Sequence, residues 1–143
     1  MLFKVHPVLV GFDPTMEHTT LLREIVDAAI RVHTTLGPGF LEIIYVRALL
    51  SELRNRCLPI EREKQIKIIY GGQIIGKHCL DLVVDYTAIV ELKANRGLIP
   101  IHTAQLRSYL QATDYPLGLL LNFGTTSLQW ELLHREEVAE KTD

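Results

Sequence analysis

The stretch CLDLVVDYTAIVELKAN, residues 79–95, constrains the chain more than any other: two apolar β-forming runs are interrupted by charge at Asp81, Glu91 and Lys93. On a strand, residues two apart share a face, so Glu91 and Lys93 point the same way as Ile89, while Val90, Leu92 and Ala94 point the other way. Asp81 shares its face with Val83 and Asp85. If Val84 pairs with Ala88 across a short turn, Asp81 falls opposite Glu91 with Cβ atoms about 4.5–5.5 Å apart. A one-residue slip would send the two acids to opposite faces. Two carboxylates so placed repel, and burial raises the cost unless a cation or a proton lies between them. The pattern predicts an oxygen-only site for Mg²⁺ or Mn²⁺ built from Asp81, Glu91 and a nearby backbone carbonyl such as that of Leu92. Lys93 beside it would orient or deprotonate a water, or stabilise charge on a phosphate. Taken alone, a D…ExK set has a second reading, as strand-end charges that pair in water.

The rest of the chain bounds that choice. Its 143 residues, 48% hydrophobic and 22% charged, suffice for one compact domain and are too few for two. The formal net charge of −2 excludes a general pull toward nucleic acid or anionic membrane, so polyanion binding needs a local basic patch. Cys57 and Cys79 lie in no CxxC and lack spaced histidine partners, which speaks against zinc or a disulfide framework and for a reducing cytoplasm. Both read as packing residues. No run approaches the roughly 18 apolar residues of a membrane span, and MLFKVHPVLVGFDP carries no cleavage pattern, so a soluble, unexported protein is expected.

From Pro14, with Asp13 as N-cap, Leu22, Ile25, Val26, Ala29, Val32, His33 and Leu36 recur at helical spacing until Gly37-Pro38-Gly39 stops them. A second helix is predicted from about Phe40 to Cys57, before Pro59. β-Formers follow: IKIIY (66–70), a Gly71-Gly72 turn, QIIG with CLDLVV, then AIVELKA, giving three antiparallel strands. HTAQLRSYLQATD (102–114) returns to helical spacing, LGLLLNF (117–123) suits a strand covered on both faces, and LQWELL (128–133) is a last strand. The order α-α-β-β-β-α-β-β predicts an α/β domain, a mixed central sheet flanked by helices, over residues 16–135. Residues 1–15 read as an N-terminal extension with an alternative start at Met16, and 136–143 as a tail.

At 100° per residue the second helix groups Arg47, Ser51, Arg54 and Asn55 on the solvent side and sets Glu42 amid Tyr45, Val46, Leu49 and Leu53 opposite. A carboxylate there needs the helix N-terminal amides, a donor or a metal as partner. The third helix puts Gln105 and Tyr109 four apart, neutral donors suited to phosphate oxygens, though Tyr109 also fits a core ring with a wet tip. Arg96, Arg107, Lys77, His78 and His102 flank the site, either as the local basic patch or as ordinary solvated charges. His33, on the apolar face of the first helix, reads as a satisfied core histidine before it reads as a site residue.

The run GPGFLEIIY carries Gly39-x-x-Glu42-x-x-Tyr45, and the chain resembles the GxxExxY proteins of the PD-(D/E)xK nuclease-like superfamily. The resemblance covers about residues 18–130 through VHTTLGPGFLEIIY, EREKQ, YGGQIIGKHCLDLVV, IVELKA, the H-x-x-QLRSYL helix and GLLLNFG. It implies a restriction-endonuclease-like core in which Asp81, Glu91 and Lys93 take the metal-ligand and catalytic positions. Glu42 takes the helical acidic position, Gln105 and Tyr109 a Q-x-x-x-Y motif that contacts DNA, and Glu63 a supporting position; Tyr45 and His33 are further candidates for supporting roles. Leu80 stands where the superfamily's eponymous proline would be. The expected activity is Mg²⁺- or Mn²⁺-dependent hydrolysis of nucleic-acid phosphodiesters, DNA first. The alternative is a nonenzymatic module of the same fold that binds DNA or a partner protein. A homodimer paired through an exposed Trp130 strand is a third option.

Overall fold

Apolar residues at three-and-four spacing wind into α1 (Thr19–Leu36) and α2 (Glu42–Asn55), whose buried stripes face each other and the sheet. The computed structural model describes residues 17–135, so the Asp13–Pro14 cap, the N-terminal extension and the C-terminal tail lie outside the described residues. α1 stops where glycine permits it. Gly37 and Gly39 have φ of 67° and 113°, which suit residues without a Cβ, and the Gly37 N–H closes on His33 O at 2.8 Å. Tyr45 then pins this linker: its hydroxyl donates to Gly37 O (2.6 Å) and accepts from the Phe40 N–H (3.2 Å), and its ring stacks on Phe123 at 4.8 Å. α2 ends two residues before Cys57, which adopts φ 59° just past the helix and is exposed. Cys79 is exposed as well, on the face of β2 away from α3, so neither cysteine is the packing residue expected.

Five strands form one sheet in the order β1 (Ile60–Tyr70), β2 (Gln73–Val84), β3 (Ala88–Lys93), β4 (Leu117–Asn122) and β5 (Gln129–His134). β3 and β4 pair in parallel and the other neighbours antiparallel, giving the mixed sheet. A parallel pair needs a crossover, and α3 (Pro100–Gln111) supplies it. β1 begins at Ile60 rather than 66 because an edge strand can carry the charged run Glu61–Lys64 into solvent. β4 is buried at every position, as its apolar run requires.

The sheet separates two apolar layers. Leu82, Val84, Val90, Leu92, Leu119 and Leu121 pack against α1 and α2, whereas Val83, Ile89 and Leu120 pack against Leu106 and Leu110 of α3. Trp130 is half-buried against the α1–α2 layer, so it is not the exposed surface residue expected, although β5 is a sheet edge. Among the described residues no helix is long and apolar enough to cross a membrane.

The end of β3 is tied to the end of β4 by a fully buried amide. Asn122 Oδ1 accepts from the N–H groups of Asn95 (3.0 Å) and Gly124 (3.2 Å), and its Nδ2 donates to Asn95 O (3.1 Å) and Gln129 Oε1 (3.0 Å). Every polar atom of the side chain is used, so the loop after Lys93 is held as firmly as the strands. Gly124 lies against that loop so closely that an added Cβ would collide with Asn95 O and sit 2.6 Å from Ala94 C and Asn95 N. These are backbone atoms and cannot rotate away. Gly124→Ala is expected to lower stability by about 3 kcal/mol or more, read as a fall in thermal midpoint; an unchanged midpoint would contradict this packing.

Candidate functional site

The β2–β3 turn passes through Asp85 and Tyr86, both at φ 52°, and sets Val84 opposite Ala88, Val83 opposite Ile89 and Leu82 opposite Val90. That is the register needed to bring Asp81 against Glu91. The ladder of main-chain pairs stops there, and side-chain oxygens take over. The Asp81 N–H donates to Glu91 Oε1 (3.2 Å), and the Leu92 N–H donates to Asp81 Oδ2 (2.9 Å). Face alternation breaks at the same place, since Leu80 and Leu82, two apart, fall in opposite apolar layers. On β1 the residue alongside is Glu63, between the Arg62–Leu82 and Lys64–Leu80 pairs, with a left-handed φ of 54°. Such a kink re-aims the neighbouring side chains, and its cost is tolerated where the surroundings fix it.

Electrostatics follow from this geometry. Glu91 is only 7% exposed, and burial, then the neighbouring Asp81 charge and a hydrogen bond to its side chain, push its carboxyl up to about 9. At neutral pH the pair therefore holds one proton between two acids, where a cation would otherwise balance them. Glu42, the first residue of α2, is half-buried and its carboxyl is also raised, by burial and then by Asp81, with Lys93 opposing. It lines a 260 Å³ pocket with Ile43, Val46, Arg62, Glu63 and Asp81. Lys93 is half-buried at the end of β3, its carbonyl accepting from the Phe123 N–H at 2.8 Å. On the α3 side the Tyr109 hydroxyl is raised by burial, then by Glu91 and Asp81, and its ring stacks on His78 at 4.1 Å. Burial lowers His78, with Asp81 opposing and Lys93 adding, and its Nε2 is buried without a hydrogen-bond partner among the described residues.

Asp81, Glu91, Lys93, Glu42 and Tyr109 thus share one electrostatic neighbourhood. Leu92 enters it through the N–H bound to Asp81. Glu63 lines the pocket but is exposed, 3.8 Å from Arg62, and Gln105 is exposed one turn before Tyr109. His33 is elsewhere: its Nε2 lies 2.8 Å from Thr125 O and its ring packs on Phe123, so it is a core histidine. Tyr45 acts only through the linker before Glu42. His102 leaves the basic patch, because it is buried and accepts the Ile99 N–H on Nδ1 (3.2 Å) at the start of α3. Reading His102 by charge alone missed that first-turn role, which its place three residues after Ile99 could have signalled. Arg62, at the pocket wall, was hidden in the alternating charges of EREK.

The donor set is carboxylate and main chain, which suits a hard divalent cation. Among the described residues, however, no three His, Cys, Asp or Glu side chains form a metal-holding cluster. Glu42 reaches Asp81 through the field but does not close a three-ligand set with the Asp81–Glu91 pair.

A family model for the PD-(D/E)XK nuclease superfamily matches residues 19–134. No curated protein matches the chain. Among solved structures the chain is similar to the crystal structure of SSO0001, at 19% identity and a TM-score of 0.53. The match covers 88% of this chain and 61% of SSO0001, so the chain spans less than two thirds of that protein, and the likeness concerns the fold.

The Glu91 proton makes stability depend on pH with a definite sign. Folded protein keeps it up to about 9, whereas the unfolded chain releases it near 4.5. The contribution is fully present below about 4.5 and is lost as pH rises through about 9. Metal-free protein should therefore lose thermal stability across that interval, and Glu91→Gln, which keeps the shape without the charge, should flatten the loss. A parallel decline in both proteins would contradict the buried proton.

Proposed function

Because the chain belongs to the PD-(D/E)XK nuclease superfamily, we propose that it is a metal-dependent nuclease that hydrolyses nucleic-acid phosphodiester bonds, DNA foremost. Within the superfamily we place it among the GxxExxY proteins, on Gly39, Glu42 and Tyr45. One observation carries the reading: an acid pair, buried Glu91 and half-buried Asp81, ends the β2–β3 ladder, with Glu91 pushed up to about 9. Such a pair is a net cost to folding unless a proton or a cation is shared, and oxygen donors favour Mg²⁺ or Mn²⁺. Asp81 and Glu91 would hold the ion, with Glu42 as the third acid and the Leu92 main chain beside them. The ion would supply Lewis acidity.

The chain's own groups do the remaining work. In hydrolysis a water oxygen bonds to phosphorus as the bond to the 3′ oxygen breaks; the water gives up a proton and the 3′ oxygen gains one. Lys93, on the Glu91 face of β3, places an ammonium where it orients that water and offsets charge building on the phosphate. Tyr109, kept protonated by burial and by the two acids, donates to a phosphate oxygen, and Gln105 one turn earlier donates to the next. Tyr45 is a positioning residue, holding the glycine linker and so the first turn of α2 that carries Glu42. Two exposed free cysteines fit a reducing cytoplasm.

A second reading is a nuclease-fold module that binds nucleic acid or a protein without cutting. The lack of a closed three-ligand cluster among the described residues favours it. Pairing of two copies along the β5 edge is compatible with either reading.

Titrating Mg²⁺ and Mn²⁺ into metal-free protein should give binding heat that Glu91→Ala abolishes. With either metal, Asp81→Asn and Lys93→Ala should each slow cleavage of labelled DNA by on the order of 10²–10³. Cleavage that survives both substitutions sinks the proposal, and metal binding with no cleavage of DNA or RNA favours the module.

A further inference from the structure

The solvent side of α2 is not featureless. Arg47, Ser51, Arg54 and Asn55 lie at i, i+4, i+7 and i+8, one stripe along the helix. With Leu50 and Arg62 of β1 they line a groove of 390 Å³. Arg62 also lines the pocket that holds Glu42, Glu63 and Asp81, so groove and acid pocket adjoin through one guanidinium.

The arginines of this region divide into two kinds. Arg31 and Arg56 are committed to acids, Arg31 to Glu52 (3.3 Å) and Arg56 to Glu24 (3.0 Å) and Asp27 (2.8 Å). Arg47 and Arg54 form no ion pair with a described residue, and Arg62 has only Glu63 at 3.8 Å. Three guanidiniums facing one groove repel one another, and no acid lines the groove to offset them. An anion would. Ser51 and Asn55 add neutral donors, the mix that grips phosphate oxygens without reading bases. Arg47 and Arg54 are about 10 Å apart along the helix axis, a span of roughly three base pairs along a duplex axis at 3.4 Å each.

We infer that this groove is a track for the nucleic-acid backbone, in which Arg47, Arg54 and Arg62 hold phosphates spaced along the strand and lead it into the acid pocket. The direction of travel rests on the nuclease reading; the binding does not. A protein of net charge −2 needs such a local patch to hold a polyanion at all, and the groove supplies it beside the acids.

The test separates binding from cutting. Fluorescence anisotropy of short labelled DNA, single-stranded and duplex, is followed with the full chain in EDTA over a range of salt. Arg47→Glu with Arg54→Glu should weaken binding by about tenfold or more, and the double alanine variant should lower the slope of log affinity against log salt by about 1.5. Both side chains are exposed, and circular dichroism checks that α2 persists. Arg23→Glu, an exposed charge reversal on α1 that lines neither groove nor pocket, should change little. The inference is overturned if the α2 variants bind as wild type does, if the Arg23 variant loses as much, or if wild type shows no salt-dependent binding. Loss of the nuclease reading looks different: DNA stays intact under Mg²⁺ and Mn²⁺ while binding still depends on Arg47 and Arg54.

Discussion

Where β2 and β3 would go on exchanging main-chain hydrogen bonds, they exchange carboxylates instead. The Asp81 N–H is satisfied by Glu91, and the Leu92 N–H by Asp81. These two bonds satisfy backbone donors that the end of the ladder would otherwise leave buried and unmet, a loss of about 1–3 kcal/mol each. They also fix both acids to the sheet frame, so the separation of the carboxyl groups is set by strand register rather than by side-chain rotamers. Most of the remaining architecture serves to hold that register. Leu82, Val84, Val90 and Leu92 anchor it to the α1–α2 layer, Val83 and Ile89 to α3, and the Asn122 amide locks the strand end beyond Lys93.

Charge is sorted finely in a chain that is nearly neutral as a whole. Acids gather at the kink where Glu42, Glu63 and Asp81 share a pocket, and arginines gather one step outward along α2. Lys93 stands among the acids and eases the penalty on both Glu42 and Glu91. The His78–Tyr109 stack closes the α3 side with two neutral polar rings, which shields the acids without adding counter-charge.

Much of this was legible in the residues themselves. The Val84–Ala88 register, raised from the sequence as a condition, is the one the structure adopts, and it carries the Asp81–Glu91 juxtaposition with it. Helices α1 and α2 announced themselves through their period and the glycine stop. What escaped was set by tertiary context. The left-handed Glu63 has no local signature, since a charged residue in a strand reads as ordinary edge chemistry. Cys57 looked like packing until the helix end placed it in a left-handed position, and His102 looked like a surface cation until the start of α3 used its ring. Glu42 was placed correctly on its helix, but periodicity cannot say how far that helix stands from the sheet, and the gap to Asp81 and Glu91 is decided by packing.

The β1–β2 hairpin runs on from Asp81 to a tip at Gly71-Gly72 with no third strand of the described residues alongside it, and the tip carries exposed Ile69, Tyr70, Ile74 and Ile75. In mechanical terms this is a lever whose fulcrum lies at the residue where β2 changes face. The root of the arm coincides with the acid pair, so load applied at the exposed tip is borne at the strand position that the Asp81 and Glu91 carboxylate bonds hold in place.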